Sequence, residues 1–294
     1  MLKEFYVYNI NRCLTIEGEK LKSQYNVPNV LIKPLAVLDC ARKGLIQIPH
    51  IDLMITTRCS LDCKYCTQWN PWIKEKKTYS AKEVISDMKK LLTRVNYIHS
   101  VAVLGGEPFV NKECDAIVAW LLKQKKIGKV VVITNGTIFP KEDVLLALKN
   151  KKAELWIDKY GECSKQAFKL RRFCERNNIA YRYEPIRVWK DLGYLRGKIL
   201  DNYADIKKLW DWCWLKYCTC YVEGKIYRCV RTWVLENNGL EKPRSNEVMD
   251  IKKIRNRKQM LKEFYQFYTV DYLNACAWCN SCEQIKNIKP AEQI

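Results

Sequence analysis

The chain has 294 residues, 48% of them hydrophobic, which is enough for one large domain or one domain with a small appendage. Its net charge is +20, from 52 basic and 32 acidic residues, which suggests an anionic partner such as nucleic acid, a nucleotide, a phosphorylated substrate or an acidic donor protein; the lysines are spread over many predicted helices rather than gathered in one stripe, which favours solvated basic faces over a nucleic-acid partner. No apolar run approaches the ~20 residues needed to cross a bilayer, and the opening MLKEFYVYNINR lacks the apolar stretch of a signal peptide, so membrane and exported classes are set aside and a cytoplasmic protein is expected.

Residues 1–48 read as an N-terminal extension without a motif, apolar over 27–38. After it, strand-like and helix-like segments alternate. A buried strand is expected at 51–56, followed by a cysteine loop. A helix near 80–92 opens at Ser80 with Glu83 three residues on, a capping-box pattern. A strand at 101–104 leads to a helix at 112–125. A strand at 130–134 leads to a helix at 141–149 that begins after Pro140. A strand at 154–157 leads to a helix from Ser164 to Asn177, and a strand at 180–184 ends at Pro185. This alternation predicts the α/β class, a parallel sheet covered by helices. In such sheets the site gathers at the carboxyl ends of the strands. Beyond residue 205 the composition shifts to Cys, Trp and Tyr. A hairpin is expected over Cys220–Cys229, turning at Glu223-Gly224, with a basic helix near 252–267. Three units follow: 1–48, a core at 49–204 and a cysteine-rich unit at 205–294.

The run ITTRCSLDCKYC places Cys59, Cys63 and Cys66 with three and then two residues between them. Three thiolates on a four-iron cube leave one iron without a protein ligand, open to a small molecule. A structural zinc site closes with four ligands instead. Two later strand ends carry GGEP (Gly105, Gly106, Glu107, Pro108) and TNG (Thr134, Asn135, Gly136).

In this order the three features resemble the radical S-adenosylmethionine (SAM) superfamily, over roughly residues 49 to 185. The resemblance implies a partial (β/α)6 TIM-like barrel. It implies a 4Fe–4S cluster on Cys59, Cys63 and Cys66 that binds SAM, and reductive cleavage of SAM to a 5′-deoxyadenosyl radical that abstracts hydrogen from substrate. It places Tyr65 beside the adenine. Gly105 and Gly106, with Pro108 after them, let the backbone approach the methionine part of SAM, and Glu107 adds negative charge. Thr134 and Asn135 face either the ribose or the methionine carboxylate, or only make the turn. Asp158, at the end of the fourth strand, touches SAM or substrate, or caps the next helix. Tyr160 and Glu184 are weaker candidates.

A second cysteine group follows. Ten residues separate Cys213 from Gly224 and four separate Gly224 from Cys229. This pattern is similar to the hairpin of the Twitch and SPASM auxiliary-cluster domains, and implies one auxiliary 4Fe–4S cluster on Cys213, Cys229, Cys276 and Cys279. Cys218, Cys220 and Cys282 stay open as alternative ligands, and a zinc ribbon is the other reading of the group. Cys13, Cys40, Cys114, Cys163 and Cys174 read as buried or incidental thiols. His50 and His99 lie in no metal-type spacing and read as structural. The leading expectation is a radical SAM enzyme acting on a small polar substrate (a sugar, aminocyclitol or nucleotide), reduced by a partner such as flavodoxin or ferredoxin. The alternatives are a peptide maturase, for which residues 1–48 look short as a leader-binding domain, and an RNA-modifying enzyme.

Overall fold

The computed structural model describes residues 46–48, 50–213, 215 and 218–294. The expected 1–48 extension, with Cys13 and Cys40, therefore lies almost wholly outside the described residues. Strand β1 (Gln47–Ile48) precedes β2 (Ile51–Thr56), the strand expected before the cysteine loop. Helix α1 (Ala81–Arg94) starts at Ser80, whose hydroxyl accepts from the Glu83 amide while the Glu83 carboxylate accepts from the Ser80 amide. It buries Val84, Met88, Leu91 and Leu92, one stripe at helical spacing.

Next come β3 (Tyr97–Gly105), α2 (Cys114–Leu122), β4 (Ile127–Thr134), α3 (Glu142–Leu146), β5 (Ala153–Lys159), α4 (Ala167–Asn177) and β6 (Tyr181–Pro185). Strands β3 to β5 exceed their expected lengths, β6 keeps its expected five residues shifted by one, and helices α2 to α4 fall short. In β3 and β4 the apolar runs at 101–104 and 130–132 are buried on both faces, as a parallel sheet covered by helices requires, while β5 buries Ala153, Leu155 and Ile157 on one face and leaves Glu154 and Trp156 half-buried on the other. The remaining described elements are β7 (Trp189–Lys190), α5 (Tyr203–Trp212), β8 (Cys220–Val222), β9 (Lys225–Tyr227), α6 (Val230–Asn237), β10 (Val248–Asp250), α7 (Arg257–Tyr268) and β11 (Asn287–Ile288).

Strands β2 to β6 pair in parallel in chain order, the arrangement of a partial TIM-like barrel. The hairpin of β8 and β9 turns at Glu223 (φ 54°) and Gly224 (φ 80°), both left-handed as a two-residue type I′ turn requires. The sheet continues across the expected 204/205 boundary. β8 pairs in parallel with β2, Asp52 opposite Cys220 and Leu53 opposite Tyr221, so the hairpin, with β10 antiparallel beside β9, extends the main sheet to nine strands. One apolar core runs through both parts, from Ile51, Val101 and Val130 to Trp233, Phe267 and Trp278. Among the described residues no helix is long and apolar enough to cross a membrane.

Candidate active site

The cysteine loop leaves the end of β2 and is fixed at its base. Thr57 donates its amide to the Lys77 carbonyl (2.8 Å), Lys77 donates to the Thr57 hydroxyl (2.6 Å), and the Asn70 side chain donates to the Thr57 carbonyl (2.8 Å). Cys66 donates to the Cys63 carbonyl (3.0 Å) and Trp69 to the Cys66 carbonyl (2.9 Å), which curls the segment from Cys63 to Trp69 into successive turns. Trp69 is fully buried with left-handed backbone (φ 52°), and its indole donates to the Gly193 carbonyl (2.8 Å).

Cys59, Cys63 and Cys66 line one cavity of about 210 Å³ at the carboxyl ends of β2 to β5. Gly105, Gly106, Thr134, Asn135 and Asp158 line it too, together with Tyr160 and Trp189. Among the described residues no Lys or Arg is part of this wall. Burial pushes the Cys59 thiol up to about 11 and that of Cys63 to about 12, and raises Cys66 as well. Two side chains point N–H groups at these sulfurs: Asn135 Nδ2 lies 3.6 Å from Cys59 Sγ, and Gln293 Nε2 lies 3.4 Å from Cys63 Sγ. Donors aimed at sulfur suit thiolates that carry iron. The donor set therefore fits a cluster facing the cavity, with Cys59, Cys63 and Cys66 as its holders. Among the described residues no group of three Cys, His, Asp or Glu is placed to hold a single metal ion.

The two glycines have a nearer reason than room for a ligand. A Cβ on Gly105 would run into the Thr56 carbonyl, and one on Gly106 would stand 2.6 Å from the Arg58 carbonyl carbon and 2.7 Å from Cys59 Cβ. Their bareness lets the end of β3 press against the cysteine loop, where Gly106 donates to the Thr56 carbonyl (3.1 Å) and Glu107 to that of Arg58 (3.0 Å).

Glu107 is not on the cavity wall. It is fully buried, and its carboxylate accepts from the Thr134 hydroxyl (2.9 Å) and the amides of Phe109 (3.2 Å) and Asn135 (2.8 Å). It ties the end of β3 to the TNG turn after β4. Burial outweighs those three donors and holds its carboxyl up at about 7. Pro108 opens the short 3-10 turn that follows and is buried. Thr134 and Asn135 line the cavity but are already engaged: the Thr134 hydroxyl accepts from the Gly136 amide (3.1 Å), and Asn135 Oδ1 accepts from the Thr137 hydroxyl (2.7 Å). Tyr65 stands away from the cavity wall, edge-on to the Tyr194 ring at 6.2 Å with Lys64 over its face.

Asp158 ends β5 with its carboxylate at the cavity and accepts from the Tyr160 hydroxyl (3.3 Å). Its pKa is raised by burial, opposed by Tyr160 and by the Arg182 charge. Glu184 pairs with Arg182 at 3.1 Å on the exposed face. Trp189, which lines the cavity packed edge-on against Tyr160 at 5.2 Å, and Gln293, which contacts Cys63 from outside the lining, carried no motif. Gln293 reaches Cys63 because 292–294 lies along the loop: Lys64 donates to the Glu292 carbonyl (2.8 Å) and Ile294 to that of Asp62 (2.9 Å).

The second group also converges. Cys213 ends α5, Cys229 precedes α6, and Cys276 and Cys279 sit in and after a 3-10 turn at 274–278. All four line a small cavity of about 30 Å³, closed by Leu192, Trp210 and Leu273. Cys218, Cys220 and Cys282 are outside its wall. Burial pushes the Cys229 thiol up to about 12 and that of Cys276 well above its ordinary value. Cys114 and Cys174 are core thiols and Cys163 is half-buried. His50 sits 2.9 Å from Asp52, and His99 sits 2.7 Å from Gln47.

Several known proteins are similar to parts of this chain. The GTP 3',8-cyclase of Clostridium acetobutylicum is 31% identical over 96 residues, 32% of this chain and 29% of that protein. A GTP 3',8-cyclase of Stenotrophomonas maltophilia is 26% identical over 95 residues. The chain thus spans under a third of the length of the curated relatives it matches. Among solved structures, Streptococcus suis SuiB bound to S-adenosylmethionine aligns with TM-score 0.42 and 18% identity, over 57% of this chain and 43% of that one. BtrN in complex with AdoMet and 2-DOIA aligns with TM-score 0.49 and 14% identity, over 84% of this chain and 97% of that one. The sequence pattern of the Radical SAM superfamily matches residues 53–201, just over half of the 294. That match spans the cysteine loop, the parallel strands and the cavity between them, and the chain belongs to the Radical SAM superfamily.

Proposed function

We propose that this chain is a radical SAM enzyme that abstracts hydrogen from a small polar substrate, with a nucleotide, sugar or aminocyclitol as the chemical class. The observation that carries the reading is the shared cavity: three thiols on one wall, and Asp158, Tyr160 and Trp189 on another. Bound there, a 4Fe–4S cluster and SAM supply a carbon-centred radical able to take hydrogen from an unactivated carbon. The chain's own residues do the rest. Cys59, Cys63 and Cys66 hold the iron as thiolates, so loading displaces their protons. Asn135 and Gln293 steady two of the sulfurs by N–H donation. Asp158, kept at the cavity by the Tyr160 hydroxyl, offers an acceptor to a substrate hydroxyl or amine. Trp189 supplies an apolar face that limits water.

The small-substrate class is supported by this acceptor and by relatives that bear the name GTP 3',8-cyclase. Cys213, Cys229, Cys276 and Cys279 are proposed to hold one auxiliary 4Fe–4S cluster. A flavodoxin or ferredoxin is proposed as the electron donor. The test is label transfer: the reduced enzyme is mixed with deuterated nucleotides, sugars and aminocyclitols, and 5′-deoxyadenosine is analysed by mass. Deuterium in 5′-deoxyadenosine from one of these supports the class. Label arriving only from a peptide would replace it with the maturase reading.

A further inference from the structure

Arg231 lies in α6, 1% exposed, between the two cysteine groups. Each nitrogen of its guanidinium donates at least one hydrogen bond. Nε donates to the Thr67 carbonyl (2.9 Å), Nη1 to the Leu192 carbonyl (2.8 Å) and to Cys279 Sγ (3.0 Å), and Nη2 to the Gly193 carbonyl (3.2 Å). Its flat face lies 4.3 Å from the centre of the Trp69 ring. Thr67 directly follows Cys66, and Cys279 belongs to the second group. One side chain thus spans the distance from the first cysteine loop to the second cavity, whose wall it also forms.

Its charge lacks an obvious answer within the protein. Among the described residues no carboxylate is paired with Arg231; its partners are carbonyls, one ring and one sulfur. A buried cation is costly unless an anion compensates it. Its one sulfur partner is Cys279, and its charge also acts on the thiols of Cys229 and Cys66. A cluster held by four thiolates carries net negative charge, since the thiolates outweigh the iron–sulfide core.

We propose that Arg231 is the built-in counter-charge of the second cysteine site and a positioning residue that couples it to the SAM-site loop. This rests on the reading of Cys213, Cys229, Cys276 and Cys279 as a cluster site. A fixed positive charge beside Cys279 stabilises the reduced cluster over the oxidised one, because reduction adds negative charge next to it. It therefore holds the second site's reduction potential up. Through the Thr67 carbonyl the same guanidinium fixes the backbone that follows Cys66.

The test is an EPR-monitored redox titration of anaerobically reconstituted parent, Arg231→Gln and Arg231→Lys, with iron counted in each. Gln keeps an N–H donor and removes the charge; Lys keeps the charge and loses the fork. With eight irons retained, Arg231→Gln should lower the one-electron equilibrium of the second cluster at least tenfold, about 59 mV. Arg231→Lys should move it by less than half of that, and the first cluster should move less than the second in both. Coincident potentials for parent and Arg231→Gln would overturn the proposal. So would equal shifts in Gln and Lys, or loss of the second cluster's iron from both, which would make Arg231 a folding element only. About four irons in the parent would defeat the second-cluster reading itself, before any variant is compared, and this proposal with it.

Discussion

Replacing Gly106 by alanine adds one methyl group at the point where β3 meets the cysteine loop. That carbon would stand 2.6 Å from the Arg58 carbonyl carbon and 2.7 Å from Cys59 Cβ. Comfortable carbon contacts begin near ~3.5 Å, so about 1 Å of overlap must be relieved. The opposing atoms are backbone and the first carbon of a ligand side chain, neither able to swing away. Overpacking of this kind costs ~1–3 kcal/mol, which for a chain of this size is a Tm lower by about 2–12 °C. The easiest relief is outward movement of the loop, carrying Cys59 away from Cys63 and Cys66. Sites of this kind tolerate displacements of only about 0.5 Å. The expected outcome is therefore loss of iron at the SAM site together with the lowered Tm, rather than weaker SAM binding to an intact cluster. Anaerobic reconstitution with an iron count, beside a thermal melt, reads both. Full iron and an unchanged Tm would refute the packing argument.

Glu107 has a pH signature. Its carboxyl sits at about 7 rather than the ordinary 4.5, so between those values the folded chain binds more protons than the unfolded one. Its contribution to stability then falls as pH rises through that window, by about 3 kcal/mol in all. In the iron-free chain, urea melts at about pH 5 and pH 7.5 should show this fall, and Glu107→Gln should flatten it; an identical slope in the variant contradicts the assignment. For the second cysteine group, a Cys229→Ala and Cys276→Ala double variant should lose about four irons, keep cleaving SAM and fail to make product. Full product formation without that iron would remove the group from catalysis.

The sheet was legible in the chain because parallel strands buried on both faces must be written as unbroken Val, Ile and Leu runs, as at 101–104 and 130–133. α1 announced itself through Ser80 and Glu83. The pairing of β8 with β2 could not be read, because it joins residues some 170 positions apart and leaves no local pattern. The cysteine triplet and Asp158 stood out by spacing and by their place at strand ends, and the fold brings them to the wall of one cavity. The burial of Glu107 carried no local signal, because two of its three donors, the Thr134 hydroxyl and the Asn135 amide, come from the end of the next strand and the third is the Phe109 amide. The glycines of GGEP were visible, but their role in seating the loop is a matter of distance. Trp189, Gln293 and Arg231 make their contacts across the fold and carry no motif. The four thiols of the second cavity were separated from Cys218, Cys220 and Cys282 only by how the hairpin and the 3-10 turn fold together.

The most direct measurement of the central claim is 5′-deoxyadenosine produced from SAM under dithionite by the reconstituted chain and by its Cys59→Ala, Cys63→Ala, Cys66→Ala triple variant. The parent should bind about eight irons and produce 5′-deoxyadenosine, and the triple variant should retain about four irons and produce none. Production of 5′-deoxyadenosine by the triple variant would contradict the assignment of SAM cleavage to this cavity.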